Sequence, residues 1–312
     1  HEISDDTDTV TFNWFCDDHW RYDDYSRKWA PCFNAVGTTA RSALPKYQRD
    51  GIENVIKTQW AANHFNYRPP EGVAPGEGSG HGLTFVGRVY GSRQGVLGRI
   101  RREGLPIETW GPGSDNGKVE QVRMIEIFAR SRINLNLVQS SAPPNTLPVK
   151  AKRAVAKAMN RTGLKPLYRE LDRALRGRDR GKLFENEHAT AGMEQIKGRN
   201  FEVPACGGFL LSGHAEELDR YYDIGKEIVC FSDTDDLIDK AKHYLEHDGQ
   251  RSAIARAGHE RTIREHTYVH RFAEIFDRLG FPLGTANDLL ERPAAHPEVL
   301  EVSPADAAQQ QQ

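Results

Sequence analysis

The sequence predicts an α/β protein made of two Rossmann-like, doubly wound domains, of which the N-terminal one is incomplete. Apolar runs alternate with amphipathic stretches twice, over residues 9–62 and again from residue 83 onward, as expected for parallel sheets covered by helices. Residues 67–82 separate the two series and read YRPPEGVAPGEGSGHG, a density of Pro and Gly typical of a connection. We therefore expect a partial N-terminal domain at 1–68, a linker at 69–82 and a C-terminal domain at 83–265.

The N-terminal series is short. TVTFNWFCDD (9–18) predicts a strand that ends in acids, and CFNAVGTTA (32–40) predicts a second strand. A short helix is expected over 41–52 and a third strand over 54–62. These elements make up about half of a full doubly wound domain, so the domain is expected to be incomplete. The chain opens at His1, which suggests a processed or trimmed N-terminus.

The C-terminal series opens with LTFVG (83–87), a strand that ends in glycine. The other predicted strands are PIETWG, RINLNLV, GFLLS and EIVCFS, at 106–111, 132–138, 208–212 and 227–232. Helices are predicted between and after them, at 92–104, 121–131, 233–248 and 250–266. A C-terminal helix is expected at 266–280, and the Pro- and Ala-rich residues 281–312 predict a disordered tail.

Composition narrows the classes of function. With a formal net charge of −2, 38% hydrophobic and 28% charged residues, the chain has no overall attraction to nucleic acid or to membranes. It contains no apolar run long enough to cross a bilayer and no signal-peptide pattern. The four cysteines lie far apart (Cys16, Cys32, Cys206 and Cys230), which predicts buried free thiols and a cytoplasmic protein.

One segment departs from this near-neutral balance. Between Lys150 and Lys182 there are twelve Lys or Arg residues against three acids, inside a predicted insert at 143–190. Leucines and an alanine recur there at the helical period, at 164, 167, 171, 174 and 175. The segment therefore predicts a basic amphipathic helix. Its cationic face is either solvated or bound to an anionic partner, such as a membrane surface that would hold the protein peripherally, or nucleic acid.

A candidate phosphate site lies in FVGRVYGSR, residues 85–93. The strand ends at Gly87 and runs toward a helix, and this is where open α/β sheets bind phosphate. Arg88 and Arg93 flank the turn, and guanidinium groups bind phosphate oxygens in pairs. The alternative is a turn with two surface charges.

A second candidate site is MEQIKGRNFEVPACGG, residues 193–208. Seven residues separate Glu194 from Glu202, so a loop could present the first carboxylate and the first turn of a helix the second. A carboxylate accepts hydrogen bonds from two neighbouring sugar hydroxyls. Four further residues complete the predicted donor-binding set: Lys197 and Arg199, which offset the acids, and the pair Gly207 and Gly208. Alternatively, Glu202 is only a charge at the helix start.

Three smaller patterns remain. Asp17, Asp18 and His19 end the first predicted strand and could supply a general base or orient an acceptor hydroxyl. Asp233, in DTD, is interpreted as a helix N-cap. His243 and His247 lie one helical turn apart, and we interpret them as part of a solvated helix face rather than a zinc site.

Several blocks within residues 10–280, outside the insert at 143–190, share one resemblance: WFCDDHW, TQWAANHFNYRP, LTFVGRVYGSR, RINLNL and, above all, the stretch from IKGRNFEVPACGGFLLSG to AIARAGHERTIREHTYVHRF. Through these blocks the sequence resembles the CgeB-like (spore maturation protein) glycosyltransferases. The family is related to the retaining GT-B enzymes with a Glu-x7-Glu motif. The resemblance implies a GT-B-like fold, a nucleotide-diphosphate-sugar donor and no metal or other cofactor.

Residue roles follow from the resemblance. It implies that Glu202 holds the ribose hydroxyls, Glu194 the hydroxyls of the donor sugar, and Arg88 and Arg93 the diphosphate. The N-terminal series here is shorter than a GT-B acceptor domain, which is a departure from the family.

Two functions follow. The first is a glycosyltransferase, which uses Asp18 or His19 as its base if the reaction inverts configuration. The second is a non-catalytic nucleotide-binding protein, attached through the basic helix to nucleic acid or an anionic membrane.

Overall fold

The structure is a computed structural model that describes residues 8–89, 91–138 and 194–291. The predicted basic insert at 143–190, including its proposed anionic contact at 150–182, lies outside the described residues. Residues 292–312 of the predicted tail also lie outside them. Among the residues the structure describes, none of the helices combines the length and apolar character needed to cross a bilayer.

The N-terminal unit is a small parallel sheet. Its strands are β1 (Phe12–Phe15), β2 (Ala35–Thr38) and β3 (Val55–Lys57), in the order β1-β2-β3. The third strand is shorter than the predicted 54–62, although beyond its end the Thr58 amide still donates to the Thr38 carbonyl at 2.9 Å. Four short helical segments link β1 to β2: Asp18–Arg21, Tyr22–Ser26, Arg27–Trp29 and Ala30–Cys32. Helix α1 (Leu44–Arg49) lies between β2 and β3.

The C-terminal unit is a five-stranded parallel sheet with the order β5-β4-β6-β7-β8. Its strands are β4 (His81–Val86), β5 (Ile107–Trp110), β6 (Ser131–Asn136), β7 (Leu210–Gly213) and β8 (Val229–Phe231). Its helices are α2 (Ser92–Arg102), α3 (Gln121–Arg130), α4 (Arg199–Ala205), α5 (Thr234–Glu246) and α6 (Asp248–Glu265). The bounds follow the predicted ones closely, because glycines, caps and turns interrupt the apolar runs.

Helices cover both faces of this sheet. On one face Leu97, Ile100 and Leu237 of α2 and α5 are buried against the strands. On the other face, Ile127 of α3 and Phe201 of α4 are fully buried in a second cluster. A parallel sheet covered on both sides is the doubly wound arrangement predicted from the sequence.

The predicted linker is packed rather than loose. The Gly76 amide donates to the Gly207 carbonyl at 2.8 Å, and the Gly80 amide donates to the Arg130 carbonyl at 2.9 Å. The Ser252 hydroxyl donates to the Gly76 carbonyl at 2.7 Å. These bonds fasten the connection to the C-terminal unit before β4 begins.

The chain then returns to the N-terminal unit. Helix α7 (Tyr268–Arg278) follows the predicted 266–280 helix. The Ala62 amide donates to the His266 carbonyl at 2.9 Å, and the Tyr268 amide donates to the Ala62 carbonyl at 3.0 Å. A short helix, α8 (Ala286–Glu291), forms within the stretch predicted to be disordered from residue 281 onward.

Candidate functional site

The strand order places a switch point between β4 and β6. After β4 the chain moves to β5 on one side of the sheet, and then to β6 on the other side of β4. The connections that leave β4 and β6 therefore diverge and open a crevice outside the carboxyl ends of the two strands. Ligands of open α/β sheets bind in this crevice.

Arg93 lies at this crevice. Its guanidinium donates to the Arg88 carbonyl at 3.1 Å and to the Leu137 carbonyl at 2.9 Å. These carbonyls follow β4 and β6, so one cation bridges the ends of both strands. Arg93 belongs to the first turn of α2, whose N-cap is Gly91 at φ 61°. A cation and the positive end of a helix dipole thus meet where the strands diverge.

Gly87 and Arg88 lie at the same edge. Gly87 follows β4 directly, and its amide donates to the Trp110 carbonyl at 2.9 Å. The backbone of Gly111 packs so closely that a Cβ there would lie 2.3 Å from the Gly87 carbonyl oxygen. The Arg88 side chain is exposed at this edge. The structure thus brings Gly87, Arg88 and Arg93 together.

A buried polar network holds the segment that carries the other predicted residues. Asn200, in α4, has no exposed surface. Its side-chain oxygen accepts from the Lys197 amide at 2.9 Å and from the Asn136 side chain at 3.1 Å, and its NH2 donates to Ser212 at 3.0 Å. The turn before α4 is therefore tied to the ends of β6 and β7. Buried polar groups satisfied in this way fix one backbone conformation.

Glu202 forms an ion pair with Arg199 within α4. The Arg199 guanidinium also lies 5.0 Å from the centre of the Phe128 ring, and burial lowers its pKa, with Tyr67 opposing the shift. The pair holds the Glu202 carboxylate, which is 18% exposed, at the surface of the helix's first turn. Arg199 thus pairs with Glu202 and positions its carboxylate.

Glu194 lies before this turn and is exposed. It lines a groove at the carboxyl ends of β6, β7 and β8, together with Leu137, Gly213, His214 and Asp233. Asp233 caps α5, because its carboxylate accepts from the amides of residues 235 and 236, which confirms the predicted N-cap. Glu194 and the bridge made by Arg93 therefore share one edge of the sheet.

The N-terminal unit meets this edge at Asp17, His19, Gln195 and Lys197, and we call this junction the interdomain cleft. The Gln195 side chain donates to the Asp17 carboxylate at 3.4 Å. Burial lowers the pKa of Lys197 to about 8; Asp17 opposes the shift and Arg93 adds to it. Burial, reinforced by Lys197, lowers the pKa of His19 to about 4. His19 is therefore neutral at pH 7.

Asp18 lies elsewhere. Its side chain is fully buried, and it accepts hydrogen bonds from Ser26 and from the Tyr47 hydroxyl, the latter at 2.8 Å. The carboxylate anchors the helical segments after β1 to α1. The prediction that Asp18 is a catalytic base is corrected here, because no acceptor can reach the carboxylate without displacing these partners.

Gly207 and Gly208 are not brought to this edge either. They precede β7, whereas Gly87 follows β4, and the strands are parallel, so the two pairs lie at opposite ends of the sheet. A Cβ on Gly207 would lie 2.8 Å from Pro75, and one on Gly208 would lie 2.3 Å from the Phe128 carbonyl oxygen. Close packing explains both glycines, and their predicted donor contact is corrected.

Sequence reasoning missed the residues that support the site. Asn136, Asn200 and Ser212 form the buried network, and Gln195 reaches across the interdomain cleft to Asp17. One signal was present: the strand INLNLV places asparagines at alternate positions of an otherwise apolar run. An asparagine buried in a parallel strand needs a partner.

Comparisons with known proteins agree with this architecture. Residues 167–277 match a family model described as glycosyl transferase-like. No curated protein matches the chain. A TarM mutant of S. aureus in complex with fondaparinux, α-GlcNAc-glycerol and UDP gives a TM-score of 0.51 at 9% identity, covering 83% of this chain and 46% of TarM. Anabaena HepE in complex with UDP gives 0.53 at 11% identity, covering 86% of this chain and 71% of HepE. The fold is GT-B.

The predicted fold class is thereby confirmed. In GT-B terms, the five-stranded unit is the C-terminal domain and the three-stranded unit is the N-terminal domain. The match to the glycosyl transferase-like model includes Glu194, Lys197, Arg199 and Glu202. The chain spans just under half the length of TarM.

Proposed function

We propose that the protein is a glycosyltransferase that transfers a sugar from a nucleoside-diphosphate sugar to an acceptor held in the interdomain cleft. The observation that carries the proposal is the Arg93 bridge between the carboxyl ends of β4 and β6. It places a fixed cation where an open α/β sheet binds phosphate. Arg88 lies beside it, and Lys197 faces Asp17 across the cleft.

The proposed mechanism retains configuration and needs no metal. The bond between the anomeric carbon and the diphosphate oxygen breaks, and the leaving diphosphate gains negative charge. Arg88, Arg93 and Lys197 stabilise that charge, as fixed cations do in a site shielded from water. The acceptor oxygen bonds to the anomeric carbon, and its proton passes to the leaving phosphate. Glu202 accepts hydrogen bonds from the ribose hydroxyls and Glu194 from the donor sugar.

UDP is the nucleotide to test first. The TarM and HepE structures contain UDP, and one HepE structure contains UDP-glucose. The CgeB-like resemblance of residues 195–272 supports assigning Glu202 to the ribose. We also propose a cytoplasmic location, because all four cysteines are free thiols and reducing compartments keep thiols in that state.

Thermal unfolding with UDP, GDP, TDP, CDP or ADP, with and without magnesium, tests the donor site. A nucleotide at a hundred times its Kd adds about 2.7 kcal/mol of stability, which raises Tm by a few degrees. The key variant is Glu202→Gln, which keeps the shape beside Arg199 but removes one acceptor oxygen. The matched control is Glu260→Gln on the exposed face of α6.

We expect one nucleotide to raise Tm without magnesium, and the rise to shrink in Glu202→Gln but not in Glu260→Gln. Release of that nucleotide from its sugar conjugate, in the presence of acceptor, then establishes transfer. Binding without release under any acceptor would favour the non-catalytic nucleotide-binding function. No shift with any nucleotide would contradict the donor site itself.

A further inference from the structure

Three exposed aromatic side chains lie close together in the sequence of the N-terminal unit. Trp20, Tyr25 and Trp29 are 41%, 44% and 52% exposed. Tyr25 lies in the π-helical segment and Trp29 in the helical segment that follows it. Single exposed apolar residues are ordinary, whereas a cluster indicates a binding surface. We call Trp20, Arg21, Tyr25 and Trp29 the aromatic platform.

Neighbouring side chains contact the rings of the aromatic platform and hold its helical segments. The Arg21 guanidinium lies 4.4 Å from the centre of the Tyr25 ring and 5.5 Å from that of Trp20, so one cation spans both rings. Phe15 of β1 packs edge-on against Tyr25 at 6.2 Å. The buried Asp18 anchors the same helical segments. Rings that are already fixed lose little entropy when they bind a ligand.

The platform continues into the interdomain cleft. The Trp20 ring lies 6.4 Å from the His19 ring in an edge-on contact. Asp17, two residues before His19, accepts a hydrogen bond from the Gln195 side chain on the donor side at 3.4 Å. A ligand lying on Trp20 would therefore border the interdomain cleft.

The local charge limits what this ligand can be. Residues 17–29 contain four acids and three Lys or Arg residues. Nucleic acid and anionic lipid require a clear excess of positive charge. A neutral sugar chain fits better, because the C–H faces of its rings pack on aromatic side chains and its hydroxyls bond to nearby carboxylates such as Asp24, which is exposed.

We propose that the aromatic platform is the acceptor subsite and that the acceptor is a neutral saccharide chain, whose rings stack on Trp20, Tyr25 and Trp29. The proposal rests on the proposed glycosyltransferase function and specifies its acceptor class. It predicts that an oligosaccharide binds better than a monosaccharide, because a chain covers more than one ring.

Calorimetric titration of the full chain tests it. The probes are malto-, cello-, chito- and manno-hexaoses with their monosaccharides, and UDP is titrated in parallel. The variants are Trp20→Ala and Trp29→Ala. The control is Phe281→Ala, which removes an aromatic ring that is 49% exposed and lies outside the platform.

We expect at least one hexaose to bind wild type, and each platform variant to bind it about tenfold more weakly, the size of one stacking contact. Phe281→Ala should bind as wild type does.

UDP binding without binding of any hexaose would overturn the platform and leave the donor site intact, whereas failure of UDP as well would overturn the proposed function. Hexaose binding that is unchanged in both platform variants would overturn the assignment of the acceptor subsite to the aromatic platform. Binding of anionic vesicles or single-stranded DNA that the platform variants lose would assign the platform to another class of partner.

Discussion

Lys197 and His19 both belong to the interdomain cleft, and burial lowers the pKa of both. The pKa of His19 is about 4 and that of Lys197 about 8. A base with a pKa near 4 removes a proton poorly at pH 7, so neutral His19 is better suited to orient an acceptor hydroxyl. This agrees with a mechanism in which the leaving phosphate takes the proton.

We expect binding of the proposed donor to depend on pH through Lys197. The ammonium group is charged below its pKa of about 8 and loses its charge above it. We expect UDP affinity measured by calorimetry to be constant below pH 8 and then to fall by up to about tenfold per pH unit as the lysine deprotonates. A bound diphosphate raises the pKa of the lysine in the complex, so the fall begins at the pKa of the free protein and levels off at the higher pKa of the complex.

Two substitutions test whether the charge of Lys197 causes the pH dependence of UDP binding. Lys197→Arg should bind UDP with little dependence on pH, because guanidinium remains charged. Lys197→Met should bind weakly at every pH. A fall above pH 8 that persists in Lys197→Met would assign the titration to another group of the cleft, where Asp17, His19 and Arg93 are the neighbouring charges.

Single residues also show which positions could be predicted from the sequence and which could not. Arg93 lies at the sheet edge where the sequence placed it, because a glycine and a helix start beside a strand end are local signals, and its phosphate contact stays a prediction. The buried, structural position of Asp18 was not predicted, since its hydrogen-bond partners Ser26 and Tyr47 lie 8 and 29 residues away in the sequence. A pattern within one segment does not specify contacts at such separations.

At the scale of elements, strands and helices of the C-terminal unit were predicted within a few residues. Their apolar runs are long and regular and are bounded by glycine or capping residues. The helical segments after β1 were missed, because DDHWRYDDYSRKW has no apolar period and includes a π-helical turn at Tyr22–Ser26. Tertiary contacts, among them the buried Tyr22 and Ser26, hold these turns in place.

The loop after β7 joins the two units through Glu217. This residue has φ 68° and is the one non-glycine in the described part of the chain with positive φ. Its carboxylate lies 2.6 Å from Arg41 and 3.1 Å from Lys57, both in the N-terminal unit. A left-handed backbone is retained at a non-glycine residue only when the surrounding contacts compensate for its cost.

Two substitutions at Glu217 separate the contribution of the ion pairs to stability from the cost of the left-handed backbone. Glu217→Ala and Glu217→Gly both remove the pairs, so both should lower the urea midpoint. The glycine variant should remain more stable than the alanine variant by roughly 1 kcal/mol, because glycine adopts positive φ without strain. Glu216→Ala, on the exposed neighbouring residue, should leave the midpoint unchanged. An alanine variant at least as stable as the glycine variant would show that φ is not strained.

At the scale of the whole molecule, the two units meet at the start of α7. The backbone of His266 and Tyr268 bonds to Ala62. The Trp14 ring of β1 packs edge-on against Tyr268 at 5.9 Å. The return of the last helices to the first unit was not predicted from the sequence, because contacts between distant segments leave no periodic signal.

His266 lies at the centre of this junction and is 5% exposed. Its Nε2 lies 2.5 Å from the Tyr221 carbonyl oxygen and therefore carries the proton, and Nδ1 accepts from Arg271 at 3.4 Å. Burial, followed by the charge of Arg271, lowers the pKa to about 4. A proton on Nδ1 would face the guanidinium directly.

Acid should therefore loosen the junction. The unfolded chain takes up a proton near the ordinary histidine pKa of about 6.5, whereas the folded ring resists until about pH 4. Stability is full above pH 6.5 and falls below it, by on the order of 2 kcal/mol at pH 5 from this residue.

Tm measured from pH 7.5 to pH 4.5 should fall less steeply in His266→Gln, which keeps a donor for Tyr221 and does not titrate. His243→Gln, on the exposed face of α5, should follow wild type. If His266→Gln fell as steeply as wild type, the acid sensitivity would belong to other groups, and the junction would not control it.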